Sequence, residues 1–337
     1  MSKKTVTIHG AVTAQNTQES VTAAVIRLID GLYLKNGISD ADVAGMSITV
    51  AGDLTGFSPD RAIREAGHNV ALKCATEHTK DGVNGFIRVT VTAQSDNPVF
   101  NVYLGGARAL SADLTKYHSI ALDGPSGAGK STVAKAVAKK LNITYLDTGA
   151  LYRALGLTCL NNGVDVRDAK AVEQCLRDVK VGLDYENGVQ RVTVDGVDVT
   201  AKIRTPEVSM AASGVSAVPY VREKLLGIQR DIATGSSVIL DGRDIGTVVL
   251  PSAEFKFFLT ASAEVRAKRR FDELTAKGQK VVYEDVLNDV ITRDRNDSTR
   301  AVAPLKQAYD AVKIDSDNMT ADQVVGFIID YVEGWLQ

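Results

Sequence analysis

The stretch Gly124-Pro125-Ser126-Gly127-Ala128-Gly129-Lys130-Ser131 constrains this chain more than any other. It follows an apolar run, Ser119-Ile120-Ala121-Leu122-Asp123, and leads into a segment that reads as a helix from about Lys130. Glycines let backbone N–H groups turn inward around phosphate oxygens without Cβ clashes. A helix starting there aims the positive end of its dipole at the same anion. Strand, glycine turn and helix in that order form a P-loop, which binds a nucleoside triphosphate. Gly124 through Lys130, Ser131 and Thr132 are the expected ATP-binding residues. Lys130 should reach the β- and γ-phosphates, and Ser131 should ligate Mg²⁺.

Strand–loop–helix units recur from there to the end. Val238-Ile239-Leu240 and Phe255-Lys256-Phe257-Phe258-Leu259 read as inner strands of a parallel sheet, with Ala311 to Asp315 as a last strand. Alternation across Leu183 to Thr200, around Asn187-Gly188, predicts an inserted β-hairpin. Val238 to Asp241 is an apolar strand ending in an acid, and in P-loop folds that acid can hold the Mg²⁺ shell. Arg243 and Asp244 follow at once and should line the same crevice. A dianionic acceptor calls for bidentate guanidinium groups, for which Arg153, Arg243 and Arg300 are candidates. Arg266, Lys268, Arg269 and Arg270 crowd one helical stretch, Ala263 to Phe271. Their mutual repulsion suggests a lid over ATP phosphates at about 263–282, against the alternative of a solvated basic face.

Four segments carry a resemblance to bacterial cytidylate kinase, in that family's order: Leu146-Asp147-Thr148-Gly149-Ala150-Leu151-Tyr152-Arg153, Ile203 to Val208, Asp241-Gly242-Arg243-Asp244-Ile245-Gly246-Thr247, and Arg300 to Leu305. The resemblance runs from about Ser119 to the C-terminus. It implies an α/β P-loop NTPase fold of the nucleoside monophosphate kinase type, with an acceptor-binding insert at about 183–225. It implies phosphorylation of CMP or dCMP by ATP with Mg²⁺. It assigns Arg153, Arg243 and Arg300 to the CMP phosphate, and Ser213, Arg222 and Asp244 to cytosine. Arg293 and Asp297 go to the ribose, and Thr148 joins the CMP site. Lys130, Asp241, Arg243, Arg266 and Arg270 are the residues expected to act in catalysis. An acid can accept from the exocyclic amine of cytosine, which uracil lacks. Shikimate is the competing acceptor on the same scaffold, but no segment resembles its motifs.

Residues 4–114 read differently: strand, helix, strand, short helix, then three strands, an α+β pattern. Val21, Val25, Leu28, Ile29 and Leu32 recur at helical spacing and Asn36-Gly37 ends that run. Ser58 and Pro59 predict an N-cap and first turn. Strands are predicted at Met46 to Ala51, Val70 to Ala75, Phe86 to Gln94 and Phe100 to Leu110. Arg88 falls on the opposite face from Ile87, Val89 and Val91, where a charge needs a partner.

Asp53-Leu54, Pro59 with Arg61 to Glu65, Cys74 with Glu77, Ile87-Arg88-Val89 and Val102-Tyr103-Leu104 resemble the trimeric class of chorismate mutase over about residues 5–114. The resemblance implies rearrangement of chorismate to prephenate with no cofactor, at sites between subunits of a homotrimer. It gives Arg88 the ether oxygen and a carboxylate and Glu77 the ring hydroxyl, with Tyr103 and Arg64 assisting and Cys74 lining the pocket. His9 stands where the family usually has an arginine, and Ser111 replaces another. An imidazole lacks the bidentate fork of guanidinium, so the domain is either a mutase of altered activity or a binding and trimerising module.

These patterns divide the chain into residues 1–114, a linker at 115–118, and residues 119–337. The length of 337 residues agrees with about two domains. With 39 basic and 41 acidic residues, the chain lacks the basic excess of a general nucleic-acid binder. It also has no apolar run long enough for a membrane span. Cys74, Cys159 and Cys175 have no metal-ligand spacing and read as small buried residues, which together with their number predicts a reducing cytoplasm. The expected partners are therefore small molecules: ATP, CMP or dCMP, and chorismate.

Overall fold

A computed structural model describes residues 3–77, 84–110, 118–186 and 189–336. It divides into two compact units, Met1–Lys116 with Asp330–Gln337, and Tyr117–Ile329.

The first unit contains β1 (Lys4–Thr13), α1 (Gln18–Asn36), β2 (Val43–Ala51), α2 (Pro59–Glu65), β3 (Leu72–Glu77), β4 (Phe86–Ser95) and β5 (Val102–Leu104). The strands form one sheet in the order β3-β2-β4-β1-β5. β4 runs antiparallel to both β1 and β2, while β3 and β5 pair in parallel at the edges. Thr17 caps α1 by accepting from the Ser20 N–H at 3.2 Å, and Gly37 follows its last residue. The predicted stripe Val21, Val25, Leu28, Ile29 and Leu32 is fully buried, as are Ile87, Val89 and Val91 of β4. Burial of such a side chain contributes roughly 1.5–3 kcal/mol.

Ser58 is the N-cap of α2 with Pro59 in its first turn, as expected, although the Ser58 hydroxyl donates to the Asp60 carboxylate and caps no backbone N–H. One local expectation needs correction. The strand expected from Phe100 to Leu110 spans only Val102–Leu104, and Gly105–Leu110 is a 3₁₀ turn. Gly105 adopts a φ of 56°, a left-handed value that ends extended pairing.

The second unit contains β6 (Ser119–Asp123), α3 (Lys130–Leu141), β7 (Thr144–Asp147), α4 (Thr148–Asn161), α5 (Ala169–Leu176), β8 (Val181–Glu186), β9 (Val189–Val194), β10 (Val197–Asp198), α6 (Pro206–Val215) and α7 (Pro219–Gly235). Then follow β11 (Val238–Gly242), a π turn (Ile245–Val249), β12 (Phe255–Thr260), α8 (Ala263–Ala276), α9 (Tyr283–Thr299), β13 (Val312–Asp315) and α10 (Ala321–Leu336), whose residues from Asp330 onward belong to the first unit. Five parallel strands lie in the order β13-β12-β6-β11-β7. Ile120, Ala121, Leu122, Ile239, Leu240 and Phe257 are buried in it, as apolar inner strands require.

The hairpin β8–β9 is present, although its expected turn Asn187-Gly188 lies outside the described residues. With α4–α7 it shares a separate core that includes Leu151, Leu155, Val192, Val215 and Leu225. The members of that core start at Ala150, upstream of the hairpin. Cys159 is buried in that core and Cys175 packs against it, but Cys74 is exposed, contrary to the sequence expectation. Among the described residues no helix is long and apolar enough to cross a membrane.

Candidate functional site

The C-terminal ends of β6, β7 and β11 converge on one crevice of about 780 Å³ in the second unit. The turn after β6 forms the cradle. Gly124 has a φ of 150°, and a Cβ there would lie 2.0 Å from the Leu259 carbonyl oxygen, so no side chain fits. Gly129 is the N-cap of α3, whose first turn holds Lys130 and Ser131. The Lys130 ammonium donates to the Pro125 carbonyl at 2.7 Å across the cradle. Burial, reinforced by the charge of Arg243, pulls its pKa down to about 7, with Asp241 and Asp123 opposing that shift.

Asp241 ends β11 beside the cradle. Its carboxylate accepts from the Ser131 hydroxyl at 2.7 Å and the Tyr145 hydroxyl at 3.0 Å. Burial, then repulsion from Asp147, pushes its pKa up to about 6. A hydroxyl and two buried, mutually repelling carboxylates at the mouth of a phosphate cradle suit a divalent cation. The Thr148 hydroxyl donates to the Asp241 carbonyl at 2.7 Å, tying the start of α4 to this strand end.

Arginines ring the other half of the crevice, most of them held by an acid. Arg153 donates to Asp147 at 2.6 Å, and its buried Nε has no partner. Arg243 donates to Asp297 at 2.8 Å. Arg222 forms a buried ion pair with Asp244, and Arg300 approaches the other oxygen of Asp244 at 3.4 Å. Arg222 also lies 5.4 Å from the Tyr152 ring centroid and donates to the Ser216 carbonyl at 3.2 Å. Arg293 reaches the Ser126 hydroxyl of the cradle at 3.4 Å. Burial lowers the pKa of Arg293 and Arg300, each also repelled by a neighbouring arginine. Ser213 lines the same wall.

The basic stretch of α8 is placed differently from the sequence expectation. Arg266 is buried behind the cradle, donating to the Ser126 and Ala261 carbonyls at 2.9 Å and to Asp294 at 2.6 Å. Arg269 donates to the Ser316 carbonyl, Arg270 to Glu273 and Lys268 to Asp272. Lys268 and Arg270 are thus compensated by acids of their own helix and Arg266 by Asp294 of α9, while Arg269 meets the Ser316 hydroxyl and carbonyl, which weakens the repulsion argument for an anion-seeking lid. Arg269 and Arg270 line the crevice; Arg266 supports the cradle from below.

Sequence reading passed over Gln190 and Tyr185 of the hairpin. Tyr185 donates to the Tyr145 carbonyl at 3.0 Å, and Gln190 pairs with the Asp147 backbone. A lone amide inside an alternating strand was the available signal for Gln190.

In the first unit, strand register places Tyr103, Ala11, Arg88 and Thr49 in one row, on the sheet face opposite the buried Ile87 and Val89. Arg88 donates to both Glu77 oxygens, at 3.3 and 3.2 Å, and its guanidinium lies 4.7 Å from the Phe86 ring centroid. His9 sits opposite Thr90, with its Nδ1 3.2 Å from the Thr90 hydroxyl. Cys74 alternates with Ala75 and pairs with the core residue Ile48, so it belongs to the helix side. Burial and the charge of Asp60 raise its thiol pKa. Arg64 is exposed on α2. Arg88, Glu77, His9 and Tyr103 therefore share a face that Cys74 does not join, and Ser111 lies outside the described residues.

Comparison with known proteins follows the same division. Residues 120–334 match the family model for cytidylate kinase, and residues 5–114 that for chorismate mutase type I. A cytidylate kinase of Caldicellulosiruptor saccharolyticus is 51% identical over 212 residues, which cover 63% of this chain and 94% of that protein. A cytidylate kinase of Clostridium acetobutylicum is 49% identical over 214 residues, covering 64% and 97%. A solved chorismate mutase from Clostridium thermocellum is similar at 30% identity, covering 31% of this chain and 98% of that one, with a TM-score of 0.30. The chain belongs to the cytidylate kinase family through residues 120–334, and in front of that domain it carries one that matches chorismate mutase type I.

Proposed function

We propose that the second domain transfers the γ-phosphoryl group of ATP to CMP or dCMP. The observation that carries this reading is the meeting, in one crevice, of the P-loop with the buried Arg222–Asp244 pair and Arg300. In this reading the cradle amides and Lys130 hold the ATP phosphates. Arg153, Arg243 and Arg300 hold the acceptor phosphate, and Arg293 with Asp297 the ribose. Asp244, oriented by Arg222, accepts from the exocyclic amine of cytosine, with Ser213 beside it. An acceptor phosphate oxygen attacks the γ-phosphorus, the bond to the β–γ bridging oxygen breaks, and ADP leaves. Negative charge spread over the transferring group is met by Lys130 and the arginines already in place. Ser131 and Asp241 would hold Mg²⁺, which when bound screens the phosphate charges. Arg270 faces the crevice from α8 and can add to that screening, whereas Arg266 acts through the cradle backbone.

An acceptor panel of CMP, dCMP, UMP, AMP and shikimate with ATP and Mg²⁺ tests the reading. CMP and dCMP should be preferred, and Lys130→Ala should lower turnover by ~10²-fold or more in a folded protein. Equal use of UMP, or near-normal turnover in the variant, contradicts it.

The first domain supports a second reading, rearrangement of chorismate by a homotrimer. The part-buried Arg88 and Glu77 supply the charge pair such a site needs. A chorismate-disappearance assay with light scattering on the full chain tests both parts. A monomer without turnover leaves a binding module.

A further inference from the structure

Asp123 is among the most buried acids of the second domain, yet the scheme above gives it no task. It ends β6, one residue before the cradle begins. One carboxylate oxygen accepts from the Ile245 N–H at 2.8 Å and the other from the Gly246 N–H at 2.7 Å. Those two residues open the π turn Ile245–Val249. The far end of that turn is held by Arg230, which donates to the Val248 and Val249 carbonyls, both at 2.9 Å. An acid on the free N–H groups and a guanidinium on the free carbonyls match the turn at both ends. A Cβ on Gly246 would lie 3.1 Å from the Lys256 side chain, a tight contact that the turn must shift to relieve, and 3.4 Å from the Asp123 carboxylate.

The residue entering this turn is Asp244, which holds Arg222 and Arg300. We infer that Asp123 is a positioning residue for acceptor recognition: bound to the Ile245 and Gly246 N–H groups, its carboxylate fixes the turn that presents Asp244 to the acceptor base. The inference rests on the proposed cytosine-reading role of Asp244. A neutral amide is no substitute, because asparagine offers one acceptor oxygen and sets its NH₂ against the second backbone N–H. Burial favours the neutral carboxyl and pushes its pKa up to about 6. The site nevertheless keeps an acid where only its two oxygens can serve both amides.

Asp123→Asn and Gly246→Ala approach the contact from its two sides. Both should be made in the full chain, with KM for CMP and for ATP, the CMP/UMP ratio of kcat/KM, and Tm as readouts. The KM for CMP should rise about tenfold, and the CMP/UMP ratio should fall by a similar factor, the size of one lost charge-assisted hydrogen bond. The KM for ATP should stay within about twofold. A purely structural Asp123 would lower Tm, or change both KM values together, and leave the CMP/UMP ratio intact; that outcome overturns the inference. If Asp123→Asn does not fold, an unchanged ratio in Gly246→Ala overturns it equally. Wild-type protein that fails to prefer CMP over UMP overturns the functional reading and this inference together, before any substitution is made.

Discussion

The side-chain amide of Gln190 closes a two-way hydrogen bond on the backbone of Asp147, accepting from its N–H at 2.7 Å and donating to its carbonyl at 3.1 Å. It thereby docks the inserted hairpin against the end of β7, from which Asp147 holds Arg153.

Gln190→Ala should loosen this docking. We expect a stability loss of about 1–2 kcal/mol, because a part-buried amide pair is left unsatisfied. The KM for the acceptor should rise through Arg153, with the KM for ATP little changed. Urea unfolding and initial-rate kinetics on the same preparation check both effects.

Removing one partner of the buried Arg222–Asp244 pair should be costly. Arg222→Met leaves the Asp244 carboxylate with Arg300 alone, and should destabilise the second domain by about 3 kcal/mol. The double variant Arg222→Met with Asp244→Asn should recover part of that loss while abolishing the preference for CMP. A double-mutant cycle in urea, beside an acceptor competition, separates the two consequences.

Stability should depend on pH through Lys130. Its folded pKa, brought down to about 7 mainly by burial, lies below the unfolded lysine value of roughly 10.4. Between those values the unfolded chain holds a proton that the folded chain has released, so stability rises with pH from about 7 upward. Asp123 and Asp241, pushed up to about 6 mainly by burial, act with the opposite sign at lower pH. Folded carboxyls keep protons there that unfolded ones have lost, so stability falls as pH rises from about 4 to about 6. Urea midpoints from pH 4 to about 9.5 should trace a minimum near neutrality. In Lys130→Met the rise above pH 7 should disappear.

His9 offers the sharpest test of the first domain. It stands two residues before Ala11, the register partner of Arg88. If the domain rearranges chorismate, His9→Arg should raise kcat/KM about tenfold, since guanidinium binds two carboxylate oxygens at once. Arg88→Ala should abolish turnover. Absence of turnover in wild type and His9→Arg alike, with folding intact, assigns the domain to binding or assembly.

The P-loop was legible because its function is local. One short stretch carries the glycines, the lysine and the hydroxyl, and the flanking apolar periods announce the strand and helix. The pairs that complete the site are not local: Arg243 with Asp297 and Arg266 with Asp294 join distant elements, and no periodicity encodes such meetings. This is why the α8 cluster read as unneutralised. Asp123 is more instructive. Ile120-Ala121-Leu122-Asp123 repeats the pattern Ile239-Leu240-Asp241, an apolar strand closed by an acid, and the two strands are register neighbours. The same rule that singled out Asp241 applied one strand away. In the first domain the alternation of β4 gave the face of Arg88 correctly. Where a strand stopped was harder, because Gly105 ended β5 through its backbone angle and not through its polarity.

If Arg153 and Arg243 hold the acceptor phosphate as proposed, the acids paired with them make its capture an exchange of anions. Before an acceptor arrives, these guanidinium groups are already compensated by carboxylates of the same chain. In that reading an incoming phosphate displaces or shares resident counter-charges at Arg153 and Arg243, and meets unbalanced positive charge at Arg300, which shares Asp244 with Arg222. At the two compensated arginines recognition is decided at contact, by which anion fits the forks better.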